Sequence, residues 1–219
     1  MTDRTEIYQR RALGILGMLL PILDVGFGYF FCRYVVGLEI EPLLWDSISA
    51  SHYASSSLLF EGTVFAVGCF LICYRGYDIR DMWITVVAGV MALILTLFPT
   101  SSQFYPGAFN FCGIDASITK WVHNVSAITF FFCLAFMEIW QFTKTNTDTP
   151  TDEKKKRNII YRVCGIGMIV SIFLGGALNF LFGLPYTTYI GEGLGLEFFG
   201  VAWLVKGETI LKDKVKKDE

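Results

Sequence analysis

The sequence predicts an all-α, polytopic membrane protein with six transmembrane helices and both termini in the cytoplasm. Three observations carry that expectation. Only 17% of the 219 residues are charged, while 53% are hydrophobic; an average soluble domain is roughly 25% charged. The few charges stand in short clusters separated by apolar runs of about twenty residues, the length that crosses a ~30 Å hydrocarbon layer as helix. Lysine and arginine fall on alternate connections, the pattern of proteins whose cytoplasmic loops are basic. A soluble globular enzyme and a disordered chain are excluded by this composition. A net charge of -2 leaves no basic face for a phosphate backbone, which excludes a nucleic-acid partner.

The first span covers 11–36. Its apolar stretch outruns a signal-peptide core, Asp24 interrupts it, and no small-residue cleavage pattern follows, so it is expected to stay as a helix. The others cover 55–74, 82–98, 118–142, 159–182 and 188–211. All six are continuously apolar rather than alternating, unlike the strands of an outer-membrane barrel. A helix satisfies its own backbone groups, as lipid requires. With this topology sixteen of the eighteen basic residues lie on the cytoplasmic side, and only Arg33 and Lys120 lie outside. The expected location is a plasma membrane, such as a bacterial inner membrane, with the chain forming one domain over 1–219. The connection 143–157 reads as a flexible cytoplasmic loop whose Lys154-Lys155-Lys156-Arg157 run anchors at the headgroups.

Of the six cysteines, only Cys32 and Cys112 reach the outer side. A disulfide between them stands beside the simpler expectation that all six are small packing residues. The polar residues are more informative. Counting 1.5 Å per residue from the inner end of each span puts Asp24, Glu61, Asn179 and Glu192 in the outer half. Glu197 falls near the middle, His123 at the outer boundary and His52 above the second span. The inner half, with little beyond Glu138, is expected to be dry. A charge at mid-bilayer costs about 2.5–3.5 kcal/mol, so this gathering predicts a polar pocket that opens outward.

Asp46 reads as the N-cap of a helix continuing into the second span. On such a helix Ser49, His52 and Ser56 share one face, and Tyr53, Ser57 and Glu61 share the next. His123 and Asn124 would add a second wall. Gly193, Glu197 and Gly200 would give the last span a small-residue face that lets another helix approach. The candidate ligand-binding residues are Ser49, His52, Tyr53, Ser56, Glu61, His123, Asn124, Asn179, Glu192 and Glu197.

Two functions follow from that set. In the first, the pocket binds a lipid or amphiphilic small molecule entering from the outer leaflet, with membrane lipids as the partners. In the alternative, His52, His123 and Glu192 hold a zinc ion and the protein is a membrane hydrolase acting on a lipid-like substrate. Glu61, Glu192 and Glu197 are then the catalytic candidates. No HExxH pattern is present, and a histidine at a helix end is also an ordinary hydrogen-bonded interfacial residue.

The run Ala88-Gly89-Val90 through Phe98-Pro99-Thr100, followed by His123-Asn124-Val125-Ser126-Ala127 before Phe130-Phe131-Phe132, resembles bacterial six-span membrane proteins of unassigned function. These in turn resemble the eukaryotic DRAM-like family. Arg157-Asn158 and the stretch from Trp203 to Glu208 are similar as well. The resemblance implies six helices, cytosolic ends and a lipid connection, and brings no catalytic residues. A looser likeness to the ceramidase and adiponectin-receptor superfamily implies Ser, Asp and His around a metal. This chain departs from that pattern in span number and in lacking paired histidines in its last span.

Overall fold

The computed structural model describes residues 4–37, 42–104, 113–145 and 149–212. Cys112, and with it the Cys32–Cys112 pairing, lies outside them. Helix α1 runs over Arg4–Leu23 and passes through Pro21. It continues as wider π-helical turns over Asp24–Val36, ending at Gly37 with φ 80°. Proline offers no N–H and crowds the preceding turn, and the widening begins three residues beyond it. A short 3-10 turn spans Ile48–Tyr53, followed by α2 at Ser57–Cys73.

The next helices start at side-chain caps. Asp78 accepts from the N–H groups of Arg80 and Asp81 and opens α3, Ile79–Leu97. Asp115 accepts from Ser117 N and opens α4, Ala116–Phe136, which ends in a π turn at Met137–Gln141. Thr151 accepts from Lys154 N and opens α5, Asp152–Phe182. The last helix, α6, spans Thr187–Lys206. The described residues are all-helical, with no strand.

Among the described residues, four helical stretches are long and apolar enough to cross a membrane: Arg4–Val36, Ile79–Leu97, Ala116–Gln141 and Asp152–Phe182. Helix α2 is apolar but has 17 residues, about 26 Å at 1.5 Å per residue. Helix α6 has 20 residues and carries Glu192 and Glu197. Each helix packs on its sequence neighbours, and α6 closes on α1 to complete a ring. Glycines set the tightest seams. A Cβ on Gly175 would lie 2.4 Å from Thr187 O, and one on Gly191 would lie 2.5 Å from Ser171 O. Backbones of α5 and α6 meet there without side chains between them.

Successive helices alternate in direction, so α1 begins where α6 ends. Arg11 Nε donates to Gly207 O at 2.7 Å, and Gln9 Nε2 donates to Phe70 O at 2.8 Å. This is the basic end of the ring. The outward faces are apolar: Ile128, Phe132, Val163, Val170 and Phe173 are exposed. Exposed Trp83 and Trp140 mark the basic end, and Trp121 and Tyr34 mark the other, as aromatic belts do at membrane interfaces.

Two expectations are corrected. The Lys154–Arg157 run is not a loop anchor, because Thr151 caps a helix that has already begun at Asp152. The basic half of the ring is not dry: Arg10, Asp81, Glu138, Gln141, Lys154, Arg157 and Lys206 are all buried in it.

Candidate functional site

At the end opposite the basic one, the chain between α1 and α2 folds inward and plugs the ring. Trp45, Ile48, Ala50, Ser51, Ala54 and Ser56 are buried. A 3-10 turn leaves backbone N–H groups at its start without internal partners, and these need acceptors at that depth. Ser47 Oγ accepts from Ala50 N at 3.1 Å. Glu192 of α6 accepts from Ile48 N at 2.7 Å.

Asp24 of α1 is the hub. It is 4% exposed and accepts from three hydroxyls on two other parts of the ring. Ser51 Oγ and Ser56 Oγ each lie 2.6 Å from it. Tyr189 OH, from α6, lies 2.8 Å away and also reaches Pro21 O at 3.2 Å.

Asp46 is not the helix cap. Its Oδ2 accepts from Ser102 Oγ at 2.9 Å and from Gln103 N at 2.7 Å, which ties the plug to the segment after α3. The two polar stripes expected on one helix are not formed either. The chain turns extended at Ala54 and α2 begins only at Ser57. Tyr53 OH donates to Thr100 O at 2.7 Å. His52 Nδ1 lies 2.7 Å from Glu61 Oε1. Burial pushes the His52 imidazole below its usual pKa, and the Glu61 carboxylate opposes that shift.

His123 is buried on α4, and its Nδ1 donates to Phe98 O at 2.7 Å. That carbonyl can only accept, so the imidazole is held by backbone. His52, His123 and Glu192 thus face Glu61, a carbonyl and a backbone amide respectively. The expected zinc set is not assembled: among the described residues no group of three His, Cys, Asp or Glu side chains is placed to hold a metal ion.

Beside the plug, a cavity of about 490 Å³ opens between α4, α5 and α6. Its body is apolar, lined by Ala127, Ile128, Phe131, Phe132, Ile172 and Phe173, and its polar lining is Asn124, Thr188 and Glu192. Asn124 stands near the start of α4, Thr188 and Glu192 near the start of α6. These helix ends lie together in the alternating ring, so the polar groups gather at the plug end. Size and lining match ligand pockets, which are mostly apolar with a few placed polar groups. Glu192 therefore belongs to both features, with one oxygen on the plug and its side chain along the cavity.

Two candidates fall elsewhere. Glu197 lines a separate groove of about 590 Å³ with Pro21, Val25 and Gly193 between α1 and α6. Asn179 donates to Leu184 O at 3.3 Å and closes the α5–α6 turn.

Ser51 and Tyr189 are missing from the sequence-derived set, although they define the hub. Asp24 was legible as a costly carboxyl inside a span, but nothing local names hydroxyls 27 and 165 positions away. Comparison with protein-family models, with curated proteins and with solved structures finds no match.

Proposed function

We propose that the protein is a six-span membrane protein, both ends cytoplasmic, that binds a lipid or amphiphile laterally from the outer leaflet. The observation that carries this reading is the amphiphilic cavity between α4, α5 and α6, apolar along its length and polar at the plug end. An acyl chain would lie along Phe131, Phe132, Ile172 and Phe173, with its head at Asn124, Thr188 and Glu192. Basic residues concentrated at the opposite end support a cytoplasmic position for that end, which turns the plug outward. Helices α2 and α6 complete the crossing as ring members, with Glu61 and Glu192 engaged by the plug. The DRAM-like resemblance points to the same lipid connection. The zinc hydrolase gains no support, since among the described residues no group of three His, Cys, Asp or Glu side chains is placed to hold a metal ion.

Gly176 lines the cavity, and a Cβ there would meet no atom within 4 Å. Gly176→Phe therefore fills the cavity without disturbing the ring. Gly62→Phe is the control, since Gly62 is equally open but lies on α2. In phospholipid nanodiscs, a photoactivatable phosphatidylcholine is expected to label α4 and α5 segments bearing Phe132 and Ile172. Gly176→Phe should lower that labelling several-fold and Gly62→Phe should not. Labelling spread evenly over all lipid-facing helices, and indifferent to Gly176→Phe, would overturn the proposal.

A further inference from the structure

The polar end of the lateral cavity narrows the chemistry of what can occupy it. Among the described residues that line it, Glu192 is the one ionisable side chain. Asn124 and Thr188 add an amide and a hydroxyl, and the rest of the lining is apolar. No lysine, arginine or histidine lines the cavity among the described residues. An anionic head would therefore meet a carboxylate with no cation beside it, and surroundings of low dielectric strengthen that repulsion.

The plug does not neutralise Glu192. The Ile48 amide donates to its Oε2 at 2.7 Å, but an amide carries no net charge, and a carboxylate taken out of water is costly unless it is paired. Other charged groups of the plug end are engaged elsewhere. Asp24 is enclosed by three hydroxyls, His52 lies on Glu61, and the Arg33 guanidinium lies 5.6 Å from the Tyr29 ring centre. Lys120 is exposed one turn before Asn124 and stands outside the lining. Helix starts favour anions, but that effect fades within the first turn. Asn124 lies in the third turn of α4 and Glu192 in the second turn of α6.

We propose, on the basis of the lipid-binding reading above, that the cavity selects an amphiphile with a primary ammonium head, held by Glu192, Asn124 and Thr188. An ammonium has three N–H donors and no acceptor. The polar end offers three side chains that accept: a carboxylate, an amide oxygen and a hydroxyl. A hydrogen bond between charged partners is roughly twice as strong as a neutral one, so Glu192 supplies most of the selection. A quaternary head has no N–H to give and would leave those oxygens without donors. The ammonium belongs either to an aminophospholipid or to a single-chain alkylamine.

The test uses the full chain in nanodiscs with photoactivatable probes that share one acyl chain and differ in head: phosphoethanolamine, phosphocholine, phosphoglycerol and a bare primary amine. An ammonium probe is expected to label the segments bearing Phe132 and Ile172 about tenfold more than the phosphocholine probe, the value of one charged hydrogen bond. Preference for phosphoethanolamine identifies an aminophospholipid, and preference for the bare amine alone identifies a single-chain alkylamine. Glu192→Gln keeps an oxygen for the Ile48 amide, removes the charge and should bring the heads to parity without abolishing labelling. Glu197→Gln removes a carboxylate from the separate groove between α1 and α6 and should leave the preference intact. The comparison of heads in the wild-type chain decides alone if Glu192→Gln does not fold. Equal cavity labelling by all heads, preference for phosphoglycerol, or an equal loss in Glu197→Gln overturns the ammonium assignment and leaves the lipid-binding reading standing. Failure of every probe to label the cavity above the other helices overturns that reading as well.

Discussion

Asp24 shows how a single residue links the sequence to the shape of the plug. A carboxyl in a span is costly to insert, and here three hydroxyls at 2.6–2.8 Å surround it. Two of the donors come from the plug and one from α6, so the carboxyl fixes the plug against both flanking helices. Tyr189→Phe removes one donor without opening space and should cost about 1.5–3 kcal/mol, the range for hydrogen bonds to charged groups. Asp24→Ala should cost more, because it leaves three buried hydroxyls without their acceptor. Denaturant unfolding in detergent checks both, and equal stability of Tyr189→Phe and wild type would remove the hub from the account. The sequence marked Asp24 as a carboxyl inside an apolar run, which counting along one segment shows; its stripes for His52 and Glu61 assumed a continuous helix, which breaks at Ala54. It did not pair Asp24 with Ser51 or Tyr189, since those contacts depend on how a non-helical segment folds back.

Elements are fixed mostly by their ends. Lys144, past the end of α4, reaches Asp78 at 2.9 Å and Asp81 at 2.5 Å, which clamps that end to the start of α3. Hydrogen bonds from Lys144, and from the Asp81 and Arg80 amides, hold the Asp78 carboxyl below its usual 3.8. Hydrogen bonds to the two aspartates raise Lys144 above its usual 10.5. A depressed carboxyl contributes stability above 3.8 that is lost as pH falls through its lower folded value, and a raised lysine contributes stability below 10.5 that is lost as pH rises through its folded value. Lys144→Met should therefore lower the melting temperature most near neutrality and least at both pH extremes, where the clamp is already lost; a profile parallel to wild type would show that the clamp contributes nothing to the pH dependence. Both groups are solvated, so the effect is small. Existence of the helices was legible from apolar runs, and their boundaries less so. Thr151 followed by Asp152 and Glu153 is a helix-start pattern, but the following run of charge masks it. The serine-rich stretch after Asp46 matches a helix cap in composition while the backbone adopts a 3-10 turn and breaks.

At the scale of the whole molecule, the ring separates two chemistries. One end holds buried cations in aromatic rings, and the other holds a plug tied by carboxyls, with an amphiphilic cavity at its side. Alternating basic loops made the first division readable, because charge placement relative to lipid follows a simple rule. The burial of Arg10, Lys154, Arg157 and Lys206 was not readable, because Lys and Arg at a membrane boundary look alike whether they face water or a neighbouring helix. The lateral cavity depends on how far α4 stands from α5 and α6, a spacing that no segment encodes by itself. A structure determined in nanodiscs of one defined phospholipid tests it most directly. Chain density along Phe131, Ile172 and Phe173, with its head at Asn124, Thr188 and Glu192, is the expected result. A groove closed by its own side chains, with lipid ordered equally around every helix, would contradict it.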